Sequence, residues 1–304
     1  MANYLVTGTA GFIASKVSEQ LLAAGHQVAG IDELNDAYDP RLKHWRLDRL
    51  KGLENFRFSQ TDIRDRAALE KLWDQAGPFD GVLNLAARAG VRQSLEDPWV
   101  YVDTNTTGTL NLLEMCRHRG VKKLVLASTS SLYGSRNPVP YNENADTNHP
   151  LSPYAASKKA AEALCHSYHH LYGIDVTVVR YFTVYGPAGR PDMSLFRFVQ
   201  WVAEERPVVV FGDGSQSRDF TYVEDIARGT IAALRPLGYE VINLGSDRPM
   251  VLMEALKLIE RLVGKKANID YQPFHKADIH ATWADITAAR EKLGWEPQVS
   301  HEQG

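Results

Sequence analysis

Short apolar runs and stretches with helical periodicity alternate along the first 180 or so residues of the chain. Apolar runs rich in β-branched residues predict strands, and apolar positions three or four apart predict helices. The predicted strands are Tyr4–Thr7, Val28–Ile31, Phe56–Ser59, Gly81–Ala86, Leu124–Ala127 and Val176–Arg180. The predicted helices are Ile13–Ala24, an amphipathic surface helix over Arg41–Arg49, Arg66–Gln75, Asp103–Arg119 and Ser152–Tyr172. The alternation indicates an α/β fold with a doubly wound parallel sheet that is covered by helices on both faces.

The regular alternation stops after residue 183. Loops carrying proline and glycine, among them Pro187-Ala188-Gly189, replace it. The elements still predicted are helices over Ser194–Ala203, Val223–Leu234, Leu252–Val263 and Ile286–Leu293 and a strand over Val241–Leu244. We therefore expect one large domain over residues 1–183 and a smaller C-terminal domain over residues 184–304, with the chain re-entering the first around residues 220–245. The smaller domain would cover the carboxyl ends of the strands, where such sheets bind ligands.

Composition and charge are those of an ordinary folded chain, and they exclude several functions. The 304 residues are 44% hydrophobic with a net charge of −3, so no basic field predicts nucleic acid or an anionic membrane as a partner. No apolar run reaches the roughly 18 residues of a membrane span, and no secretory signal is expected. Cys116 and Cys165 are the only cysteines, which indicates thiols in a reducing compartment. We expect a cytoplasmic protein.

A glycine-rich turn joins the first predicted strand to the first helix. Gly8 and Gly11 are spaced so that the chain turns tightly and backbone N–H groups reach a pyrophosphate, and Ala14 allows the helix to pack closely on the strand. Asp32 ends the second strand, where a carboxylate binds an adenosine ribose and repels a 2′-phosphate. The pattern predicts NAD, bound by the Rossmann-type domain of residues 1–183. The candidate cofactor residues are Gly8, Ala10, Gly11, Phe12, Ile13, Asp32, Asp62, Ile63, Ala86 and Ala87.

Tyr154 and Lys158 lie four residues apart on one face of the helix that Ser152 caps. A phenol ionises near pH 10 in water, so a neutral-pH base needs a neighbouring cation to stabilise the phenolate. The lysine and the positive end of the helix supply it. Hydroxyl groups of the loop Ser128–Gly134 follow the fifth strand and face the same edge. Together these groups predict a hydride-transfer site.

These motifs, with the runs Arg180–Phe182 and Arg218–Val223, resemble the extended short-chain dehydrogenase/reductase family, and within it the nucleotide-sugar epimerases. The runs Gly30–Asp36, Ala89–Arg92 and Phe182–Met193 look most like the members that act on UDP-glucuronate at C4. The resemblance implies a tightly bound NAD that is regenerated in each turnover and interconversion of UDP-glucuronate with UDP-galacturonate.

The resemblance also implies roles for individual residues. Thr129, Tyr154 and Lys158 would be catalytic, and the last two, with Tyr181, would also contact NAD. The implied substrate residues are Arg92, Thr129, Ser130, Thr183, Arg190, Arg218 and Asp278. Arg218 would hold the diphosphate, Arg190 with Thr183 and Ser130 the sugar carboxylate, and Asp278 the uridine ribose. Related dehydratases and decarboxylases carry an acid at the position of Ser130 or Ser131, whereas both are serine here.

Three other functions stay open on the sequence. The chain could epimerise neutral UDP-hexoses, it could be a UDP-glucuronate decarboxylase or another nucleotide-sugar oxidoreductase, or it could be a non-catalytic scaffold that binds nucleotides. No metal is expected, because His166, His169 and His170 lack the acid of a metal-binding helix motif. In resembling enzymes two long helices pair with a second subunit in a four-helix bundle, which implies a homodimer.

Overall fold

The computed structural model describes residues 1–274 and 279–304. Seven parallel strands form its main sheet in the order β11-β6-β5-β4-β1-β2-β3. The strands are β1 (Asn3–Thr7), β2 (Gln27–Asp32), β3 (Phe56–Gln60), β4 (Gly81–Asn84), β5 (Lys123–Thr129), β6 (Asp175–Tyr181) and β11 (Tyr239–Leu244). The order in which the strands follow one another reverses between β1 and β4. Sheets of this kind bind ligands at such a switch point. The predicted Rossmann-type parallel sheet is confirmed.

Helices cover both faces of this sheet because neighbouring residues of each strand point to opposite sides. The helices of the large lobe are α1 (Phe12–Ala23), α2 (Pro40–Lys51), α3 (Arg66–Ala76), α4 (Pro98–Tyr101), α5 (Gly108–Arg119), α6 (Pro153–Tyr172) and α8 (Val223–Ala232). On one face, Val17 of α1 and Ile226 of α8 are buried against Val6 of β1. On the other face, Leu112 of α5 and Ala161 of α6 are buried with Leu124 and other strand residues.

The smaller lobe has a core of its own. Its helices are α7 (Ser194–Ala203) and α9 (Leu252–Val263), and its strands are β7 (Thr183–Tyr185), β8 (Pro207–Phe211), β9 (Ser217–Arg218), β10 (Phe220–Tyr222), β12 (Met250–Val251) and β13 (Asn268–Gln272). Phe198 of α7, Val210 of β8 and Leu256 of α9 are buried together in this core. The six strands form three two-stranded sheets, and none of them was predicted. Between the two parts of this lobe, β11 and α8 rejoin the large lobe.

The helix that leads into the site differs from the prediction. The helix predicted over Asp103–Arg119 begins earlier, at Pro98, and contains a π-helical segment, Val102–Thr107. In that segment Asn105 donates to the Ser157 hydroxyl at 2.9 Å and accepts from the Arg88 amide at 2.9 Å, so it ties α6 to the loop after β4. Near the C-terminus the predicted helix Ile286–Leu293 is present over residues 287–293, and its last five residues, Ala289–Leu293, are π-helical. The surface helix predicted over Arg41–Arg49 is confirmed as α2.

The ends of α6 match the prediction. The Ser152 hydroxyl accepts from the Ala155 amide at 3.2 Å, Pro153 stands in the first turn, and Gly173 takes a left-handed conformation with φ of 65° after the last residue. These signals fix where the helix starts, and they place Tyr154 at its first turn.

Within the described residues, no helix combines the length and the apolarity that a membrane crossing requires.

Candidate active site

The glycine-rich turn leaves no room for side chains at its two glycines. Gly8 has a φ of 70°, and a Cβ on it would come within 2.9 Å of the Ala86 backbone. The Gly11 amide donates to the Gly8 carbonyl at 2.7 Å, and Gly11 caps α1. The turn therefore brings the N-terminus of α1 against the end of β4. Free N–H groups there suit an anionic pyrophosphate.

Asp32 ends β2 beside this turn with its side chain buried. Its carboxylate accepts from the amides of Ala10 at 3.2 Å and Leu34 at 2.8 Å. Burial raises the pKa of Asp32, and the two hydrogen bonds and the nearby Lys43 act in the opposite direction. A carboxylate fixed in this position is suited to accept from ribose hydroxyls.

A first cavity follows this edge of the sheet. The predicted cofactor residues that line it are Gly8, Gly11, Asp32, Asp62, Ile63, Ala86 and Ala87. Lys43, Asn35 and Thr61 also line it and were not predicted. The Lys43 ammonium donates to the Asn35 side chain and backbone at 2.7 Å. The Asp32 carboxylate can accept from a ribose, and backbone amides of the turn can donate to phosphates, so the lining of this cavity fits a dinucleotide.

Thr129 and Tyr154 stand where β5 and the start of α6 meet. Thr129 is buried at the end of β5, where its hydroxyl accepts from the Ser131 amide at 3.1 Å. Burial raises the pKa of Tyr154 above its usual value, while a hydrogen bond with Thr129 and the charge of Arg190 lower it. Two of the residues proposed around the reacting sugar therefore favour the phenolate of Tyr154 directly.

Lys158 is buried one helical turn after Tyr154. Its ammonium donates to the Ala127 carbonyl of β5 at 2.8 Å. Burial lowers the pKa of Lys158 to about 8, and the negative charge of Glu162 opposes that shift. At neutral pH the ammonium thus keeps its proton.

A buried ion pair that was not predicted from the sequence lies beneath Lys158. Glu162 accepts from the Arg180 guanidinium of β6 at 2.8 and 3.0 Å and from the Ser128 hydroxyl of β5 at 2.6 Å. Arg180 also donates to the Tyr133 hydroxyl at 3.1 Å. The sequence contained a signal for this pair, since Glu162 follows Lys158 by one helical turn and so lies on the same face of α6.

A second cavity of about 490 Å³ opens from the predicted catalytic residues toward the smaller lobe. The predicted residues that line it are Ile13, Ala87, Arg92, Thr129, Ser130, Tyr154, Lys158, Tyr181, Thr183, Arg190 and Arg218. Arg92 of the large lobe stacks on the ring of Phe211 of the smaller lobe, 4.1 Å from its centroid. Arg218 donates to the carbonyls of Ser217 at 2.8 Å and His280 at 3.2 Å. Both lobes therefore contribute to this cavity.

Two predicted site residues lie elsewhere. Ala10 and Phe12 do not line either cavity: the Ala10 amide supports Asp32, and the Phe12 ring is buried in the core. Asp278 lies outside the described residues. Tyr181 does line the second cavity, although its hydroxyl is hydrogen-bonded to Thr230 at 2.8 Å.

Arg46 of α2 is a further residue that the sequence did not reveal. Its side chain is buried, and its guanidinium donates to the carbonyls of Ala10 at 3.1 Å and Ala188 at 2.7 Å and to the Tyr38 hydroxyl at 2.7 Å. It thereby joins the glycine-rich turn to the loop that carries Arg190. An arginine in a basic surface helix gives no sequence signal for such a role.

Taken together, the parallel sheet, the glycine-rich turn with Asp32 and the threonine–tyrosine–lysine group define a dinucleotide-binding protein of the hydride-transfer class. Comparison with known proteins gives the family. The model of the NAD dependent epimerase/dehydratase family matches residues 4–245, and the chain belongs to that family.

The chain is similar over nearly its full length to several members of that family. It is 59% identical over 305 residues to a UDP-glucuronate 4-epimerase of Thermodesulfobacterium geofontis (strain OPF15), covering 100% of this chain and 94% of the relative. The crystal structure of a UDP-glucuronic acid 4-epimerase from Bacillus cereus, in complex with UDP-glucuronic acid and NAD, matches with a TM-score of 0.94 and 38% identity, covering 99% and 96% of the two chains. The structure of a Thermotoga maritima UDP-glucose 4-epimerase with UDP-glucose matches with a TM-score of 0.91 and 34% identity, covering 99% and 96%.

The Gly8→Ala variant should lose NAD affinity, because its Cβ would meet the Ala86 backbone at 2.9 Å and open the turn. Gly25→Ala is the matched control, since Gly25 also has a positive φ, 81°, but nothing lies within 4 Å of its Cβ. Backbone strain alone costs about 1 kcal/mol in each variant. NAD content after purification and the Kd of added NAD measure the effect. Equal NAD affinity in the two variants would contradict this account of the turn.

The Lys158→Met variant should lose activity about 100-fold or more without loss of stability, because it removes a buried charge that is also the cation predicted to stabilise the phenolate. The folded pKa of Lys158 is depressed to about 8, so its charge opposes folding below that pH and the opposition fades as the pH rises. At pH 7 the Tm of Lys158→Met should equal or exceed that of the wild type.

Lys159→Met is the control for this change. Lys159 is the next residue of α6, and its ammonium donates to the Thr147 hydroxyl at 2.6 Å, outside both cavities. It should keep its activity. A Lys158→Met protein that retained activity would refute the electrostatic role of Lys158.

Proposed function

We propose that this chain is an NAD-dependent UDP-glucuronate 4-epimerase, which interconverts UDP-glucuronate and UDP-galacturonate through a transient 4-keto sugar. The observation that carries the proposal is the position of Arg190 in the same cavity as Tyr154, close enough for its charge to lower the pKa of that phenol. A guanidinium there suits a sugar carboxylate that lies beside the reacting carbon. The 59% identity to a UDP-glucuronate 4-epimerase supports the assignment.

The chain's own residues divide the chemistry among them. Tyr154 takes the proton of the C4 hydroxyl, Thr129 holds that hydroxyl in place, and Lys158 stabilises the phenolate. NAD, when bound, accepts the hydride from C4 and returns it to the opposite face, so it is regenerated in each turnover. We propose that the NAD stays tightly bound throughout, since Asp32 and the glycine-rich turn are fixed by buried contacts.

The substrate has to keep one end anchored while its sugar ring turns over. We propose that residues 184–304, which contribute Arg218, hold the UDP part, and that residues 1–183 hold NAD. The five cationic side chains among the described residues of the second cavity suit an anionic substrate. They are Arg92, Lys158, Arg190, Arg197 and Arg218.

The cavity is also arranged to keep the sugar carboxylate in place. A 4-keto uronic acid is a β-keto acid and loses carbon dioxide easily. Ser130 and Ser131 occupy the loop beside Thr129, and Asp192 is the only carboxylate among the described residues that line the second cavity. No acid stands beside the catalytic group to protonate the product of decarboxylation, and Arg190 binds the carboxylate. Epimerisation is therefore favoured over decarboxylation.

Product analysis tests the proposal directly. Purified protein is incubated with UDP-glucuronate and no added NAD, and the sugar nucleotides are followed by ¹H NMR. We expect UDP-galacturonate, with no UDP-pentose, and no product from a Tyr154→Phe protein. A UDP-pentose would indicate a decarboxylase, faster turnover of UDP-glucose an epimerase of neutral hexoses, and NAD binding without turnover of either sugar a scaffold; each would overturn the proposal.

We further propose a homodimer in which α5 and α6 pair with their copies in a second chain. The outer face of α6 carries small residues at Ala156, Ala160, Ala163 and Ser167 and ends with Leu171, whose exposed fraction is 64%. Small residues allow helices to approach closely, and an exposed apolar face is suited to a second copy. Trp99 of the neighbouring α4 is 78% exposed.

Light scattering should give twice the chain mass of 34.0 kDa. The Leu171→Glu variant should shift the protein toward the monomer, because it places a charge in the proposed interface. Leu262→Glu, at an equally exposed leucine of α9 (58%), should remain dimeric. A wild-type monomer at micromolar concentration would contradict the proposal.

We also propose a cytoplasmic location. Cys116 and Cys165 are buried free thiols, which suits a reducing compartment. Fractionation of cells that make the protein tests this, and recovery in a secreted fraction would refute it.

A further inference from the structure

One carboxylate stands among the cations of the second cavity. Among the described residues that line it, five side chains are cationic and Asp192 alone is acidic. The substrate proposed for this cavity carries a diphosphate and a carboxylate, and a fixed negative charge opposes both. The presence of Asp192 at this position therefore needs a physical explanation.

Asp192 is bound to Arg190 in a two-pronged geometry. The Arg190 Nε donates to Asp192 Oδ1 at 3.1 Å, and its Nη2 donates to Oδ2 at 2.5 Å. Nη2 also lies 3.4 Å from the Ala89 carbonyl oxygen. A carboxylate of the substrate would form the same kind of pair with the same guanidinium. The side chain of Asp192 therefore stands in the place of the ligand that Arg190 is proposed to bind.

The pair belongs to a loop that the fold holds in place. Arg46 binds the carbonyl of Ala188 at 2.7 Å, and the Met193 amide donates to the Arg190 carbonyl at 3.2 Å. The Arg197 guanidinium donates to the Pro191 carbonyl at 3.2 Å. The side chains of Arg190 and Asp192 are only 24% and 23% exposed. These contacts fix the loop. Both side chains line the first as well as the second cavity, so the pair lies where the two cavities meet and is not a loose surface contact.

We propose that Asp192 is a specificity-determining residue: an internal carboxylate that competes with the substrate's carboxylate for Arg190. The inference rests on the proposed function, because it takes the ligand of Arg190 to be a uronate. A uronate has to displace Asp192 or share the guanidinium with it, whereas a neutral hexose leaves the pair intact. Asp192 thus lowers the affinity for UDP-glucuronate selectively.

Such competition suits an enzyme in which the sugar ring of the substrate rotates within the site during the reaction. The carboxylate on C5 moves with the ring, so it has to leave Arg190 when the 4-keto sugar presents its other face. Asp192 can pair with Arg190 at that moment, so the guanidinium never loses a partner. A guanidinium without this internal partner would hold the uronate more tightly and release it more slowly.

The test measures binding in a Tyr154→Phe background, in which the sugar is not converted. Calorimetry gives the Kd of UDP-glucuronate and of UDP-glucose for this protein and for its Asp192→Asn, Asp192→Ser and Asp192→Glu derivatives. Two like charges about 4 Å apart in a water-like medium change an affinity about fivefold. We expect both neutral variants to bind UDP-glucuronate about fivefold more tightly and UDP-glucose within about twofold of the parent. Asp192→Glu, which keeps the charge, should stay near the parent.

Unchanged or weaker binding of UDP-glucuronate by the neutral variants, with UDP-glucose binding intact, would overturn the inference. An equal gain for both sugars would overturn it as well, because the effect would then not involve the carboxylate. Retained UDP-glucose binding shows that each variant is folded. The proposed function fails separately, when the unmodified protein makes no UDP-galacturonate.

Discussion

The ammonium of Lys158 is the group on which the arrangement of the site depends. A charged side chain in the protein interior needs hydrogen-bond partners and an opposite charge, and the Ala127 carbonyl and Glu162 supply them. Because those partners lie on β5 and on α6 itself, α6 has to cross β5 at one position. That crossing sets Tyr154 against Thr129 at the carboxyl end of the sheet. The Arg180 guanidinium of β6 also binds Glu162, so one buried carboxylate balances two cations beneath the site.

Electrostatics in this chain are local. The net charge of −3 gives no general attraction for anions, yet both ligands of the proposed reaction are anionic. Binding therefore depends on a few placed groups: backbone amides at the start of α1 for NAD, and arginines of both lobes for the nucleotide sugar. Arg46 connects the two sites physically, since it holds the glycine-rich turn and the loop of Arg190 at once.

The sheet and the common location of Thr129, Tyr154 and Lys158 in one cavity could be predicted from the sequence, because both have local signals. Strand and helix periods, the Ser152 cap and the four-residue spacing of Tyr154 and Lys158 are read within one or two elements. The strands of the smaller lobe were missed because they are two to five residues long and exist only through pairing with distant segments, as β8 does with β13. The buried partners of Arg46 were missed for a related reason, because tertiary contacts and not residue type decide what a surface-like arginine binds. The Arg190–Asp192 pair joins residues only two apart, but a two-residue spacing in a loop does not by itself predict a contact.

The central claim is that the same hydride leaves C4 and returns to it within one site. UDP-glucuronate that carries deuterium at C4 tests this most directly, with the product analysed by ¹H NMR and mass spectrometry and with unlabelled NADH added in excess. The account predicts UDP-galacturonate that keeps the deuterium at C4. Loss of the label to water, or its replacement by hydrogen from the added NADH, would contradict it.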